Sequence, residues 1–282
     1  MGSGWQEWPL VFFTVLGQCV AGGLIVTGLA WFTGHQNDRA RIVRVMFFLW
    51  VLMGIAFLAS VMHLGSPLRA FNSLNRLGHS PLSNEIASGS LFFTVGGLWW
   101  LVAVLGKMPT ALGKAWLIVA MALGVVFIFA MTRVYQIDTV PTWHNGYTTL
   151  GFFLTAFLGG PLLGALLLAG AGMATPRACA VAAVLALVIS LAAALMQTAS
   201  LAGIHSTVQQ ASALLPDYGF WQAWRMALLA LGIGCWLCPL VRRVPPRPWG
   251  LMAGFALVLV GELIGRGLFY GLHMTVGMAV AR

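Results

Sequence analysis

The sequence predicts an all-α integral membrane protein with eight transmembrane helices, and three observations carry that expectation. The chain has 282 residues, 60% hydrophobic and only 7% charged, with a mean hydropathy of +0.91. A soluble domain carries about 25% charged residues, so this chain has too little polar surface to face water on all sides. The apolar residues fall in long continuous runs rather than alternating about every second position, which favours spanning helices over a barrel. The basic residues sit in short loops between those runs, so the net charge of +9 reads as membrane orientation and not as nucleic-acid binding.

A spanning helix needs about 20 predominantly apolar residues. Eight runs meet that length, at 9–32, 45–64, 86–106, 115–135, 148–171, 178–199, 220–241 and 249–275. Trp8, Trp31, Trp116, Trp143, Trp221 and Trp249 mark ends of these runs, as interfacial anchors do. Met1 to Phe13 lacks the basic start of a secretory signal and has no twin arginine, so the first helix is expected to stay in the mature protein. The whole sequence reads as a single membrane domain, 1–282, arranged as two four-helix bundles, although no convincing internal sequence repeat accompanies the two halves.

Orientation follows from Lys and Arg. The loops after the first, third, fifth and seventh runs hold Arg39, Arg41, Arg44, Lys107, Lys114, Arg177, Arg242, Arg243 and Arg247; the opposite side holds Arg69, Arg76, Arg133 and Arg282. Nine against four places the first set in the cytoplasm and both termini outside. That topology puts Glu7, Glu85, Asp138 and Asp217 on the outer side, with five of the six histidines. Chemistry is therefore expected near the outer surface.

The stretch between the second and third helices is the most informative. His63 ends helix 2 and Glu85 begins helix 3, and antiparallel neighbours joined on the outer side bring these two ends together. Quinol oxidation needs an imidazole and a carboxylate at the border of hydrocarbon, because it removes two protons from an amphipathic ring whose tail stays in lipid. The plainer alternative has His63 capping helix 2 and Glu85 serving as a dipole partner at a helix start. Arg69 and Arg76 suit a quinone carbonyl, a lipid phosphate or acidic residues of a partner.

In helix 8, Glu262 and Arg266 lie four residues apart on one face, and charges at that depth are expected to face the bundle interior and pair with each other. A structural pair, a proton route and a ligand contact all remain open for them. Arg225 reads as a snorkelling side chain near an outer helix end. Cys19, Cys179, Cys235 and Cys238 all lie in apolar runs and read as packed or lipid-facing thiols; they are too few and too scattered for an iron–sulfur cluster. The histidines lie at helix ends or in loops, which gives no facing pair of haem ligands, so neither haem nor a cluster is expected in this protein.

Several long polar strings are idiosyncratic: Met1-Gly-Ser-Gly-Trp-Gln-Glu-Trp-Pro9, His63-Leu-Gly-Ser-Pro-Leu-Arg-Ala-Phe-Asn-Ser-Leu-Asn-Arg76, Ser83-Asn-Glu-Ile-Ala87, Ile137-Asp-Thr-Val-Pro-Thr-Trp143 and Tyr270-Gly-Leu-His-Met-Thr-Val-Gly-Met278. In these the sequence resembles, over essentially its full length, the membrane anchor subunit of the bacterial dimethyl sulfoxide reductase family. The likeness is nearest to the anchor of the paralogous selenate-reductase-type complex. The resemblance implies a haem-free anchor in the bacterial inner membrane that oxidises menaquinol near the periplasmic face. It implies an iron–sulfur partner subunit docked on that face, and a molybdopterin catalytic subunit beyond it. It also implies quinol binding at the histidine and glutamate of the matching strings, here His63 and Glu85. Ser66, Arg69, Asn72 and Ser73 are their candidate hydrogen-bonding neighbours. Two other classes compete: a purely structural tether, and a secondary transporter, for which only Glu262 and Arg266 offer mid-depth charges.

Overall fold

The computed structural model describes residues 2–62, 72, 74–204 and 210–274. A short 3₁₀ turn, Gly2–Glu7, leads into α1 (Trp8–Thr33), followed by α2 (Gln36–Met62), α3 (Pro81–Val104) and α4 (Thr110–Val134). The second half comprises α5 (Gly146–Gly170), α6 (Arg177–Leu201), α7 (Tyr218–Val241) and α8 (Pro248–Gly271). All eight are long and apolar enough to cross a membrane. The face on which α1 begins and α8 ends is called the N face below.

Helix ends follow local chemistry. Ser80 caps α3 by accepting from the Ser83 amide and Pro81 occupies the first helical turn, so α3 starts at Pro81 and takes Glu85 inside the helix, where the apolar run alone points to 86. Asn145 caps α5 in the same way through the Thr148 amide. On the opposite face α2 begins at Gln36, because the polar stretch before the apolar run is itself helical and Arg41 pairs with Asp38 at 2.6 Å.

Neighbours in each half close a ring: α1–α2–α3–α4 and α5–α6–α7–α8 each pack cyclically, giving two four-helix bundles. The bundles meet chiefly where α1 lies against α5, the most extensive helix pair among the described residues. Gly22 and Gly160 permit that approach: a Cβ placed on Gly160 would stand 2.5 Å from the Gly22 Cα. Small residues at such crossings are how helices gain close packing in lipid, where water no longer drives them together. As a result α1 and α5 are buried along most of their length.

Tryptophan plays a different part from the one its positions suggest. Trp8 and Trp249 are exposed, as anchors are, but Trp31 is buried edge-on against Trp99. Trp99 donates to the Gly113 carbonyl at 2.8 Å, Trp116 to Val95 at 3.0 Å and Trp100 to Val43 at 2.8 Å. These indoles tie helices of the first bundle together through otherwise costly buried donors. The cysteines are free thiols, with Cys19 buried in the seam and Cys238 exposed.

Candidate functional site

At the N face the end of α4, the α4–α5 loop and the end of α8 lock together. Trp143 stacks on Phe269 with centroids 5.2 Å apart and donates to the Phe269 carbonyl at 2.8 Å. Thr142 donates to the Leu272 carbonyl at 2.6 Å, and the His273 ring lies 4.7 Å from Trp143. Inside this clasp the Tyr135 and Tyr270 hydroxyls form a buried hydrogen bond of 2.5 Å. Glu85, 4% exposed, is within electrostatic range of both hydroxyls. A cavity of about 410 Å³ opens over the tyrosine pair, lined also by Gln6, Glu7, Leu10, Trp143 and His273. Aromatic walls around a few convergent polar groups are the usual make-up of a site for a flat, amphipathic ligand.

Behind Tyr270, one turn deeper on α8, lies a second polar cluster. Arg225 of α7 pairs with Glu262 at 3.1 Å, and Thr155 of α5 donates to the other Glu262 oxygen. Arg266 donates to Gln18 of α1 at 2.9 Å and to the Thr155 hydroxyl at 3.4 Å, while its guanidinium sits 3.5 Å above the Phe152 ring. Gln18 in turn donates to the Met131 sulfur, so one arginine ties both bundles together through a neutral amide. A narrow polar cleft of about 50 Å³ reaches this cluster between α5, α6, α7 and α8.

The family model for the DMSO reductase anchor subunit (DmsC) matches residues 1–272. The protein belongs to that family. It is 66% identical over its full length, and the full length of the relative, to the anaerobic dimethyl sulfoxide reductase subunit YnfH of Escherichia coli K12. It is 59% identical, again end to end, to a second anaerobic dimethyl sulfoxide reductase subunit of that strain, designated C. With the C subunit of the Haemophilus influenzae anaerobic dimethyl sulfoxide reductase it shares 44% identity over 99% of both sequences. Membership and the eight apolar helices make the anchor a multi-pass protein of the bacterial inner membrane.

Of the residues singled out from sequence, His63, Ser66, Arg69 and Ser73 lie outside the described residues. Glu85 is buried within electrostatic range of the tyrosine pair, and Asn72 is exposed. Glu262 and Arg266 are both buried, but they do not pair with each other as expected: Arg225 takes Glu262, and Arg266 reaches neutral oxygens. Arg225 is therefore not a snorkelling side chain. Its own side chain is 14% exposed, and it points inward because a buried carboxylate one helix away offsets its charge better than distant headgroups. Arg133, near the N-face end of α4, is exposed. Tyr135, Trp143, Thr155 and Gln18 went unremarked as site residues. Their only sequence signals are that Tyr135 is one of just four tyrosines and that Gln18 interrupts an apolar run.

Proposed function

We propose that the anchor oxidises menaquinol in the N-face cavity, on the periplasmic side, and passes the electrons to an iron–sulfur subunit that feeds a molybdopterin reductase. The family and its relatives, named as dimethyl sulfoxide reductase subunits, support association with those two subunits. The bias of basic residues toward the opposite face supports a periplasmic N face. The observation that carries the quinol reading is the hydrogen-bonded pair Tyr135–Tyr270 under an aromatic-walled cavity, with a buried carboxylate, Glu85, within electrostatic range.

Menaquinol supplies two electrons and two protons. Tyr135 and Tyr270 present hydroxyls that hydrogen-bond a quinol oxygen and align it. Glu85 is the carboxylate placed to take a proton through them, and His273 at the mouth hands protons to water. His63 joins Glu85 in this role by the family resemblance. Trp143, backed by the Phe269 ring stacked on it, forms the wall against which a naphthoquinol ring stacks. The electrons leave one at a time to a cluster of the docked partner, so no haem is needed in the anchor. Because electrons and protons both leave on the N face, the step moves no net charge across the bilayer.

The test is quinol-dependent reduction by the assembled complex carrying Glu85→Gln or Tyr135→Phe, with assembly followed by co-purification of the partner subunits. Both variants are expected to assemble and to lose most quinol oxidation. Assembled variants that oxidise quinol at the wild-type rate would overturn the site.

A further inference from the structure

Among the described residues, the Arg225–Glu262–Arg266 cluster is the largest group of buried charge that the quinol reading leaves unused. It holds two cations against one anion, so one positive charge is in excess. Such charge in a low-dielectric interior is costly without a purpose or a compensating anion. Arg266, 6% exposed, donates to the neutral Gln18 and Thr155 and rests on the Phe152 ring, so these contacts do not cancel its charge. It lies one turn from Tyr270 and interacts electrostatically with the hydroxyls of Tyr270 and Tyr135, the pair that floors the quinol cavity.

We propose that this cluster sets the proton affinity of the quinol pocket from behind, with Arg266 as a positioning residue that acts through the tyrosine pair and Glu262 as its opposing trim. The inference rests on the quinol reading of the N-face cavity. As a proton leaves a quinol hydroxyl toward Glu85, negative charge develops on that oxygen and along the tyrosine hydroxyls. The excess positive charge favours that distribution and does not touch the substrate. Glu262, anchored by Arg225 and Thr155, offsets part of the field. The other ionisable groups facing the cluster and the pocket are Cys19 of α1, Glu85 of α3, and Tyr218 of α7 beside Arg225. Glu7 and His273 line the cavity mouth. From α5, Thr155 and Phe152 face the cluster, and Tyr147 lines the cavity that reaches it.

The two α8 charges have opposite signs, and this separates a field from a scaffold. At an effective dielectric of about 20 and a spacing of about 10 Å, one unit charge moves a proton equilibrium by about one pH unit. Arg266→Gln is expected to move the rising limb of the pH–rate profile for quinol oxidation up by about one unit. Glu262→Gln is expected to move it down, and Arg266→Lys to keep it near wild type. The second readout needs no turnover: pH-dependent binding of a fluorescent, acidic hydroxyquinone analogue to the assembled complex. Arg266→Gln is expected to weaken binding of the anionic analogue about tenfold, and Glu262→Gln to strengthen it. Shifts of the same sign in both variants, or no shift in either while the analogue still binds, would overturn the proposal. If Arg266→Gln does not assemble, Glu262→Gln alone decides by the direction of its shift. An analogue that binds wild type but is insensitive to Tyr135→Phe and Glu85→Gln would instead overturn the quinol reading itself.

Discussion

Replacing Gly160 with alanine tests the seam that holds the two bundles together. The added Cβ would lie 2.5 Å from the Gly22 Cα and 2.7 Å from the Gly22 carbonyl carbon. Both are backbone atoms, so no rotamer change relieves the contact. Carbon atoms pack at about 3.5–4.0 Å, so α1 and α5 must part by about 1 Å. Overpacking of this kind costs about 1–3 kcal/mol, and the better helix propensity of alanine returns about 1 kcal/mol. Gly151→Ala on the same helix meets nothing within 4 Å and takes only the propensity gain. The two variants should therefore differ by about 1–3 kcal/mol in favour of Gly151→Ala, because the propensity term is common to both. Thermal unfolding of the purified complex in mild detergent measures the difference directly. The seam also sets the spacing of Gln18 and Thr155, the two supports of Arg266, so Gly160→Ala should lower quinol oxidation in complexes that remain assembled. Equal stability of the two variants would refute the claim that backbone-to-backbone contact at Gly22 holds the bundles in register.

Other outcomes follow from the same geometry. Arg225→Ala leaves Glu262 buried without its ion-pair partner and should destabilise the anchor by about 3–5 kcal/mol; adding Glu262→Gln should recover much of that, as read by thermal melting. Tyr135→Phe removes one hydroxyl from a buried pair and should cost only about 1 kcal/mol of stability, yet reduce quinol oxidation far more, a divergence visible when melting and kcat/KM are compared. Trp143→Leu loses the stack on Phe269 and the donor to its carbonyl, and should weaken binding of a quinone analogue measured by fluorescence titration. Asn72→Ala, at an exposed position, should change stability by less than about 0.5 kcal/mol.

The eight helices and their pairing into two halves were legible in the sequence because hydrocarbon tolerates little else: a run of about 20 apolar residues has one stable backbone solution in lipid. Burial of Glu262 and Arg266 was legible for the same reason. Their partners were not. An i,i+4 spacing shows a shared face of one helix, whereas Arg225, Thr155 and Gln18 come from three other helices whose rotation is set by packing. The tyrosine pair was hidden likewise, since Tyr135 and Tyr270 are separated by 135 residues and meet only once the bundles join. Glu85 was placed at the start of helix 3 by hydropathy, but a serine cap and a proline extend the helix by a turn and draw it inside. The tryptophan pattern spoke of depth along each helix and not of which way a ring faces, so it did not show that Trp31 packs inward against Trp99 while Trp8 and Trp249 stay exposed.

The burial of α1 has a consequence for how the protein is made. This helix leaves the ribosome before the seven that pack around it, carrying Thr14, Gln18 and Thr27 on its buried surface. Thr14 and Thr27 satisfy themselves by donating to carbonyls one turn back. Gln18 has no such local solution: its bonds go to Met131 of α4 and Arg266 of α8. The membrane thus receives a segment whose glycine-faced side waits through the synthesis of α2, α3 and α4 before α5 arrives to cover it, and whose Gln18 amide oxygen waits until α8 is in place. Completion of α8 is the event that closes the first helix, so a polypeptide truncated before Arg266 would leave the quality-control machinery an exposed polar group in lipid to recognise.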